Sequence, residues 1–168
     1  MRREQVEIEA PSIGGAGTVI GYGHYGRPVL LFPAEQGRAW DLEGAGMIDA
    51  VGDLIEAGRA KLYAVDSYDG ASWSNRSIEL EERARAHDAY EAWIVERVVP
   101  AIHADLSGAQ EIVVAGCSMG AYHAANFALR HADLAELTDI SAAWRRWAAD
   151  DDGWFLLPHG EVVCRPSR

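Results

Sequence analysis

Short apolar runs recur along roughly the first two thirds of the chain, and their periods differ. Residues 6–9 alternate apolar and polar side chains, and residues 17–22 carry Val19 and Ile20. The runs Val29-Leu30-Leu31-Phe32, Leu62-Tyr63-Ala64-Val65 and Ile112-Val113-Val114-Ala115 are unbroken. Alternation suits a strand with one covered face, whereas an unbroken run suits a strand covered on both, as in parallel sheets between helices. Helical periods separate these runs. Met47, Ile48, Val51, Leu54 and Ile55 form one helical stripe, with Gly58 placed to end it. A second helix is predicted to start near Ser77 as N-cap, with Glu79, Glu81 and Glu82 at the positive end of its dipole. Ala86, Tyr90, Trp93, Ile94 and Val98 would form its inner face. Pro100 is expected to kink or end that helix, because proline lacks an amide donor and crowds the preceding turn.

Strand and helix alternating in this way predict an α/β fold with a mostly parallel sheet and helices on both faces, the leading strands making an antiparallel edge. No repeat or Pro/Ser-rich linker divides the chain, so residues 1–168 read as a single domain. With 49% hydrophobic residues, the chain can bury a substantial core. Acidic residues outnumber Lys and Arg by 26 to 15, giving a net charge of −11. No broad basic face remains to neutralise phosphates, so nucleic acid is not an expected partner. The opening MRREQVEIEA has no apolar stretch behind its arginines, and no run approaches the about 18 apolar residues of a membrane span. A cytoplasmic protein without membrane contact is the expectation. Cys117 and Cys164 lie in no Cys-x-x-Cys pair and read as reduced thiols, Cys117 as a buried one.

The chemistry concentrates in Gly116-Cys117-Ser118-Met119-Gly120, which matches G-x-S-x-G. An apolar strand runs into the motif and a helix-compatible stretch, residues 121–131, runs out. That is the context of a nucleophile elbow, whose serine takes strained backbone angles and whose flanking positions must be small. The hydroxyl then sits at a helix N-terminus, where amides and the dipole stabilise developing negative charge. A glycine-rich strand-to-helix turn in a non-hydrolytic α/β protein would carry the same residues. Asp66, Ser67, Tyr68, Trp73 and Asn75 follow another strand's C-terminal end, where open α/β sheets bind ligands, and are candidates for a pocket rim. His123 lies five residues past Ser118 and reads as a packing group pointing away from the hydroxyl. His87 and His103 read as surface groups, and His24 lies in a glycine-rich stretch that matches no phosphate loop.

The chain resembles the esterase family of the α/β-hydrolase superfamily that includes esterase D-like and mycolyltransferase-like enzymes. The resemblance rests on Gly23-His24-Tyr25-Gly26-Arg27-Pro28-Val29-Leu30-Leu31-Phe32-Pro33, on Lys61-Leu62-Tyr63-Ala64-Val65-Asp66-Ser67, on residues 83–102 and on Gly116-Cys117-Ser118-Met119-Gly120-Ala121-Tyr122-His123-Ala124-Ala125-Asn126. It covers residues 5–134. The resemblance implies hydrolysis of a small-molecule carboxylic ester through a serine acyl-enzyme, with no metal or organic cofactor. Carried onto this chain, it implies Ser118 as nucleophile and the Met119 amide as one oxyanion donor. The second donor would come from the loop after the 29–32 strand, the Glu35 amide or, alternatively, that of Ala34.

After residue 134 the family's path is lost. The family implies an acid and a histidine on later strands, and the residues following Ser118 leave room for one or two elements where about three further strands would stand, a strand-helix unit needing roughly 30 residues. The C-terminal strands of the fold are therefore expected to be missing. The remaining histidine of this stretch is His159, in a Pro-His-Gly turn, with Asp139 or Asp150 as the acid of a rebuilt triad. Absent such a triad, the alternative is a non-catalytic hydrolase-fold binding module. Strand 112–115 would then become an exposed apolar edge open to self-association, unless residues 154–157 or 162–164 dock there.

Overall fold

The computed structural model describes residues 1–131, 142, 145, 146, 149, 155–157 and 162–164. They fall into two units, Met1–Ala124 and Ala125–Arg168.

The first unit is organised by the lengths of its connections. β1 (Arg3–Ala10) and β2 (Gly15–Tyr22) pair antiparallel from Arg3↔Tyr22 to Ala10↔Gly15. The 3-10 turn Pro11–Ile13 joins them, closed by Gly14 at φ 77°. Residues 23–26 lead directly into β3 (Arg27–Phe32), again too short for a crossover. Two longer excursions carrying helices lead to β4 (Ala60–Val65) and β5 (Val113–Gly116). The sheet order is β1-β2-β4-β3-β5, with β4, β3 and β5 mutually parallel and β2 antiparallel to both of its neighbours. The sheet is thus mixed: β4, β3 and β5 form the parallel part, and the leading strands β1 and β2 form the antiparallel edge expected of them. Only connections of a dozen or more residues can return a strand parallel, and the two leading connections reverse the chain instead.

Alternation sorts the side chains onto two covered faces. Ile20 and Tyr22 of β2, Leu31 of β3 and Leu62 and Ala64 of β4 share a core with Leu42, Ile48 and Ile55. These last three come from the helical turns α1 (Asp41–Gly44), α2 (Met47–Ala50) and α3 (Gly52–Glu56). The opposite face takes the long helical excursion: an ideal Cβ on Gly17 would lie 2.4 Å from the Trp93 ring, and the Tyr63 hydroxyl donates to Asp105 at 2.7 Å. Lys61, buried on that face, pairs with the same carboxylate at 2.5 Å.

Two helical expectations are corrected, and the one at Pro100 is met in part. The stripe over residues 47–55 is not one helix. Val51 stands at φ −109°, ψ 11° between α2 and α3, and Gly46 at φ 72° precedes them. Glycines at 44, 46 and 52 make a continuous helix costly here, and the turns leave Met47 41% and Leu54 44% exposed while burying Ile48 and Ile55. Gly58, at φ 66°, does close the segment. The next helix, α4 (Leu80–Trp93), starts after extended Glu79 and not at Ser77, whose hydroxyl and amide are both taken by the Asn75 side chain. Near Pro100 the regular α-helix does stop: it ends at Trp93, and the proline falls in the first turn of the next α-helical segment. The chain passes through a π-helical turn, Ile94–Val98, into α5 (Val99–Asp105). A wider turn just before the proline gives its ring room, so the helix accommodates it. Tyr90, Trp93, Ile94 and Val98 are buried as the sequence predicts. α6 (Met119–His131) follows β5.

In the second unit, β6 (Phe155–Leu157) and β7 (Val162–Cys164) pair antiparallel with each other, from Phe155↔Cys164 to Leu157↔Val162. Among the described residues no helix is long and apolar enough to cross a membrane.

Candidate functional site

The turn from β5 into α6 is built by what two glycines lack. An ideal Cβ on Gly116 would stand 2.3 Å from the Gly120 carbonyl oxygen, and one on Gly120 would stand 2.3 Å from the carbonyl oxygens of both Phe32 and Pro33. No L side chain fits either position. Between them Ser118 takes φ 53°, a left-handed conformation that costs a non-glycine residue of order 1–3 kcal/mol and persists only where surroundings enforce it. The Gly120 amide donates to Cys117 O at 2.8 Å and the Ala121 amide to Ser118 O at 3.0 Å, so α6 begins at once. Ser118 is exposed at its N-terminus.

Strand register brings the end of β3 to this turn. Phe32 pairs with Gly116, and Pro33 carries the chain past Gly120 into the loop of residues 34–37. Sequence and fold therefore set Ser118, Met119 and the Glu35 loop side by side. That loop is held from three directions. Its Gly37 amide donates to Ala34 O at 2.9 Å, and its Gln36 amide donates to Asp69 at 3.3 Å with Gln36 at φ 55°. The Ser74 hydroxyl donates to the Glu35 carboxylate in a short hydrogen bond.

The histidines depart from expectation in one case. His87 is buried and not a surface group: its ring lies 5.3 Å from Trp73, 5.9 Å from Tyr122 and 5.4 Å from His123. Tyr90 and Glu91, three and four residues further along α4, are buried as well, so His87 lies on the inward face of the helix. His103 is half-buried, with Nε2 3.1 Å from Gln110 O, and His24 is exposed. His123 is buried, as its reading as a packing group requires, but it carries an unforeseen partner. Its Nε2 lies 2.8 Å from Asp69 Oδ1, with the two side chains 1% and 0% exposed. Among the described residues no imidazole hydrogen-bonds the Ser118 hydroxyl. His159, Asp139 and Asp150 lie outside the described residues.

The five rim candidates separate. Asp66 is buried and occupied, accepting from the Thr18 amide at 3.1 Å and the Ala39 amide at 2.9 Å while pairing with Arg38 at 3.1 Å. It braces β2 to the α1 region. With Ser67 and Tyr68 it also lines a cleft of about 190 Å³ beside Gly17 and Trp93, and Ser118 is not part of that cleft. Trp73 instead packs edge-on to Tyr122 at 6.5 Å, and Asn75 is engaged by Ser77. Burial also governs Tyr90: desolvation, then the charges of Asp69 and Asp66, push its hydroxyl pKa well up, and the protonated hydroxyl donates to Asp66 O at 2.9 Å.

Comparison with known proteins rests on structure alone. No protein-family model matches the chain, and no curated protein matches it. Among solved structures, it is similar to S-formylglutathione hydrolase (FrmB) from Staphylococcus aureus. The TM-score is 0.58 and the identity 14%, over 79% of this chain and 53% of that one. An epoxide hydrolase from an endophytic Streptomyces gives a TM-score of 0.47 at 18% identity, over 78% of this chain and 34% of that one. Over the matched part the chain shares the α/β fold of the S-formylglutathione hydrolase, about half of whose length it spans.

Proposed function

We propose that the chain is a serine esterase-type hydrolase in which Ser118 forms an acyl-enzyme with carboxylic esters. The observation carrying this reading is Ser118 at φ 53°, exposed at a helix N-terminus between two glycines that admit no Cβ. A serine is held in a costly conformation when its hydroxyl must stand clear of both strand and helix. In the proposed step, Ser118 Oγ attacks the ester carbonyl carbon and loses its proton to a base, and the carbonyl oxygen becomes an oxyanion. The Met119 amide faces that oxygen from the start of α6. Hydrogen bonds already take up the Gln36 and Gly37 amides of the neighbouring loop, which leaves Glu35, with Ala34 as the alternative, for the second donor. Collapse of the intermediate expels the alcohol with the returned proton, and water then hydrolyses the acyl-enzyme by the same route. Turnover is proposed to take place in the cytoplasm, on a small-molecule ester and without a metal or organic cofactor. The base is the part of the apparatus left open, since His159 with Asp139 or Asp150 would serve only in a rebuilt triad. The fold neighbour's name adds S-formylglutathione to the substrates to be assayed.

A second reading, a hydrolase-fold binding module without turnover, is favoured by one observation. His87, His103 and His123 are all engaged away from the Ser118 hydroxyl. Labelling with an activated fluorophosphonate, combined with p-nitrophenyl ester turnover, separates the two. The esterase reading expects a single labelled site at Ser118 and loss of both signals in Ser118→Ala. Turnover undiminished in that variant would overturn it, and ligand binding without labelling or turnover would establish the second reading.

A further inference from the structure

We infer that Asp69 and His123 are positioning residues that hold the two halves of the oxyanion site in register, an inference that rests on the esterase reading. Asp69 is fully buried and its carboxylate reaches two different elements. Oδ1 meets His123 Nε2 at 2.8 Å on the first turns of α6, and Oδ2 accepts the Gln36 amide at 3.3 Å in the loop after β3. One half of the oxyanion site is the Met119 amide, at the start of that same α6. The other is the Glu35 amide, which immediately precedes Gln36. A single carboxylate therefore ties together the two segments whose relative position decides whether both amides can point at one oxygen.

The connection is stiff at each end. A carboxylate only accepts, so Nε2 of His123 carries the proton and the ring is fixed in one tautomer. The ring is packed by Phe32 at 5.9 Å, Tyr90 at 5.4 Å and His87 at 5.4 Å, and its Nδ1 is buried without a hydrogen-bond partner. At the other end Gln36 stands at φ 55°, a conformation it would leave for a relaxed one if Asp69 released its amide. The loop bearing Asp69 is itself tied to Glu35 through the Ser74 hydroxyl.

Stability alone does not account for the pair. A buried polar pair is often replaced by apolar residues of similar volume at no loss of stability, while leaving Nδ1 unsatisfied is a further cost. What apolar residues could not supply is the acceptor for Gln36. Positioning explains the cost, because oxyanion donors must sit within hydrogen-bond distance of where the charge develops, and a misplacement of about 1 Å is felt as about 10²-fold in rate.

The test uses the full chain and the variants Asp69→Asn, His123→Phe and His123→Gln. Asp69→Asn keeps shape and one acceptor oxygen but cannot serve both His123 and Gln36. His123→Phe fills the volume without a donor, and His123→Gln restores a donor. Each variant is first placed by its thermal midpoint. Expected are a roughly 10²-fold fall in kcat and in the rate of Ser118 phosphonylation for Asp69→Asn and His123→Phe, with KM within about threefold, and partial recovery in His123→Gln. The Gln36 amide should exchange slowly in the parent and fast in the first two variants. Folded variants that keep the parent's kcat and its slow Gln36 exchange would overturn the inference. If the parent itself is neither labelled nor active, the esterase reading fails. The clamp is then decided on exchange alone: faster Gln36 exchange in Asp69→Asn sustains it, and unchanged exchange removes it.

Discussion

Gly120→Ala is the sharpest perturbation of the β5–α6 turn. The added methyl would meet Phe32 O and Pro33 O at 2.3 Å and Phe32 C at 2.7 Å, backbone atoms at the end of β3 and just beyond it. Ordinary contact begins near 3.4 Å, so β3 and α6 must part by about 1 Å. Overpacking costs typically about 1–3 kcal/mol, and two simultaneous backbone clashes place this variant at the upper end. The same displacement separates the Met119 amide from the loop of residues 34–37, and about 1 Å is enough to lower a rate by about 10²-fold. The destabilisation is read as a lower urea midpoint at unchanged slope, and the displacement as slower fluorophosphonate labelling of Ser118. Gly44→Ala is the internal control, since nothing lies within 4 Å of a Cβ there. It should leave both readouts unchanged or raise stability slightly. Were Gly120→Ala to match the control within about 0.5 kcal/mol, the close approach of helix and strand would be refuted, and with it the argument that Ser118 is held in its conformation by its neighbours.

Further outcomes follow from other parts of the molecule. Gly17→Ala, whose Cβ would lie 2.4 Å from the fully buried Trp93 ring, should destabilise by about 1–3 kcal/mol and shift Trp fluorescence; an unchanged midpoint would contradict that contact. Burial opposes ionisation of Asp105, but hydrogen bonds from Lys61 and Tyr63 and the Lys61 charge outweigh it, so its pKa is lowered. Its contribution is complete above the ordinary carboxyl range and is lost as pH falls through the lowered folded value. Thermal midpoints of Asp105→Asn should therefore fall less than the parent's between pH 7 and pH 3, and parallel curves would exclude this. Among the described residues β5 pairs only with β3, and Val113 is 37% exposed. We propose self-association along this edge, which Val113→Lys should weaken; sedimentation of the parent that shows no concentration dependence would dismiss it.

Local pattern determined the parts of this protein that depend on neighbours in sequence. Five strands stand where the alternating and apolar segments fall; β3 and β4 bury most of their runs, whereas β1 and β5 at the edges leave theirs exposed or half-buried. The Gly116-Cys117-Ser118-Met119-Gly120 turn was legible because its residues are consecutive, although the demand for glycine at 120 comes from the Phe32 and Pro33 backbone, which only the fold brings there. Helix boundaries were less so. Ser77 could cap a helix or close on Asn75, and nothing in the string weighs one hydrogen bond against the other. Tertiary structure alone decided pairing across distance. Asp69 and His123 are 54 residues apart and meet because β4 and α6 deliver them to one end of the sheet, a fact no periodicity carries. His87 read as exposed because its own helix is polar around it, and it is buried because Trp73 and Tyr122 arrive from elsewhere. The strand order was likewise set by connection lengths acting on the whole sheet, with β4 inserted between β2 and β3. Sequence names the groups that can hydrogen-bond or pack; which of them meet is settled when the chain's burial is optimised as a whole, and the buried carboxylate behind Ser118 is a product of that second step.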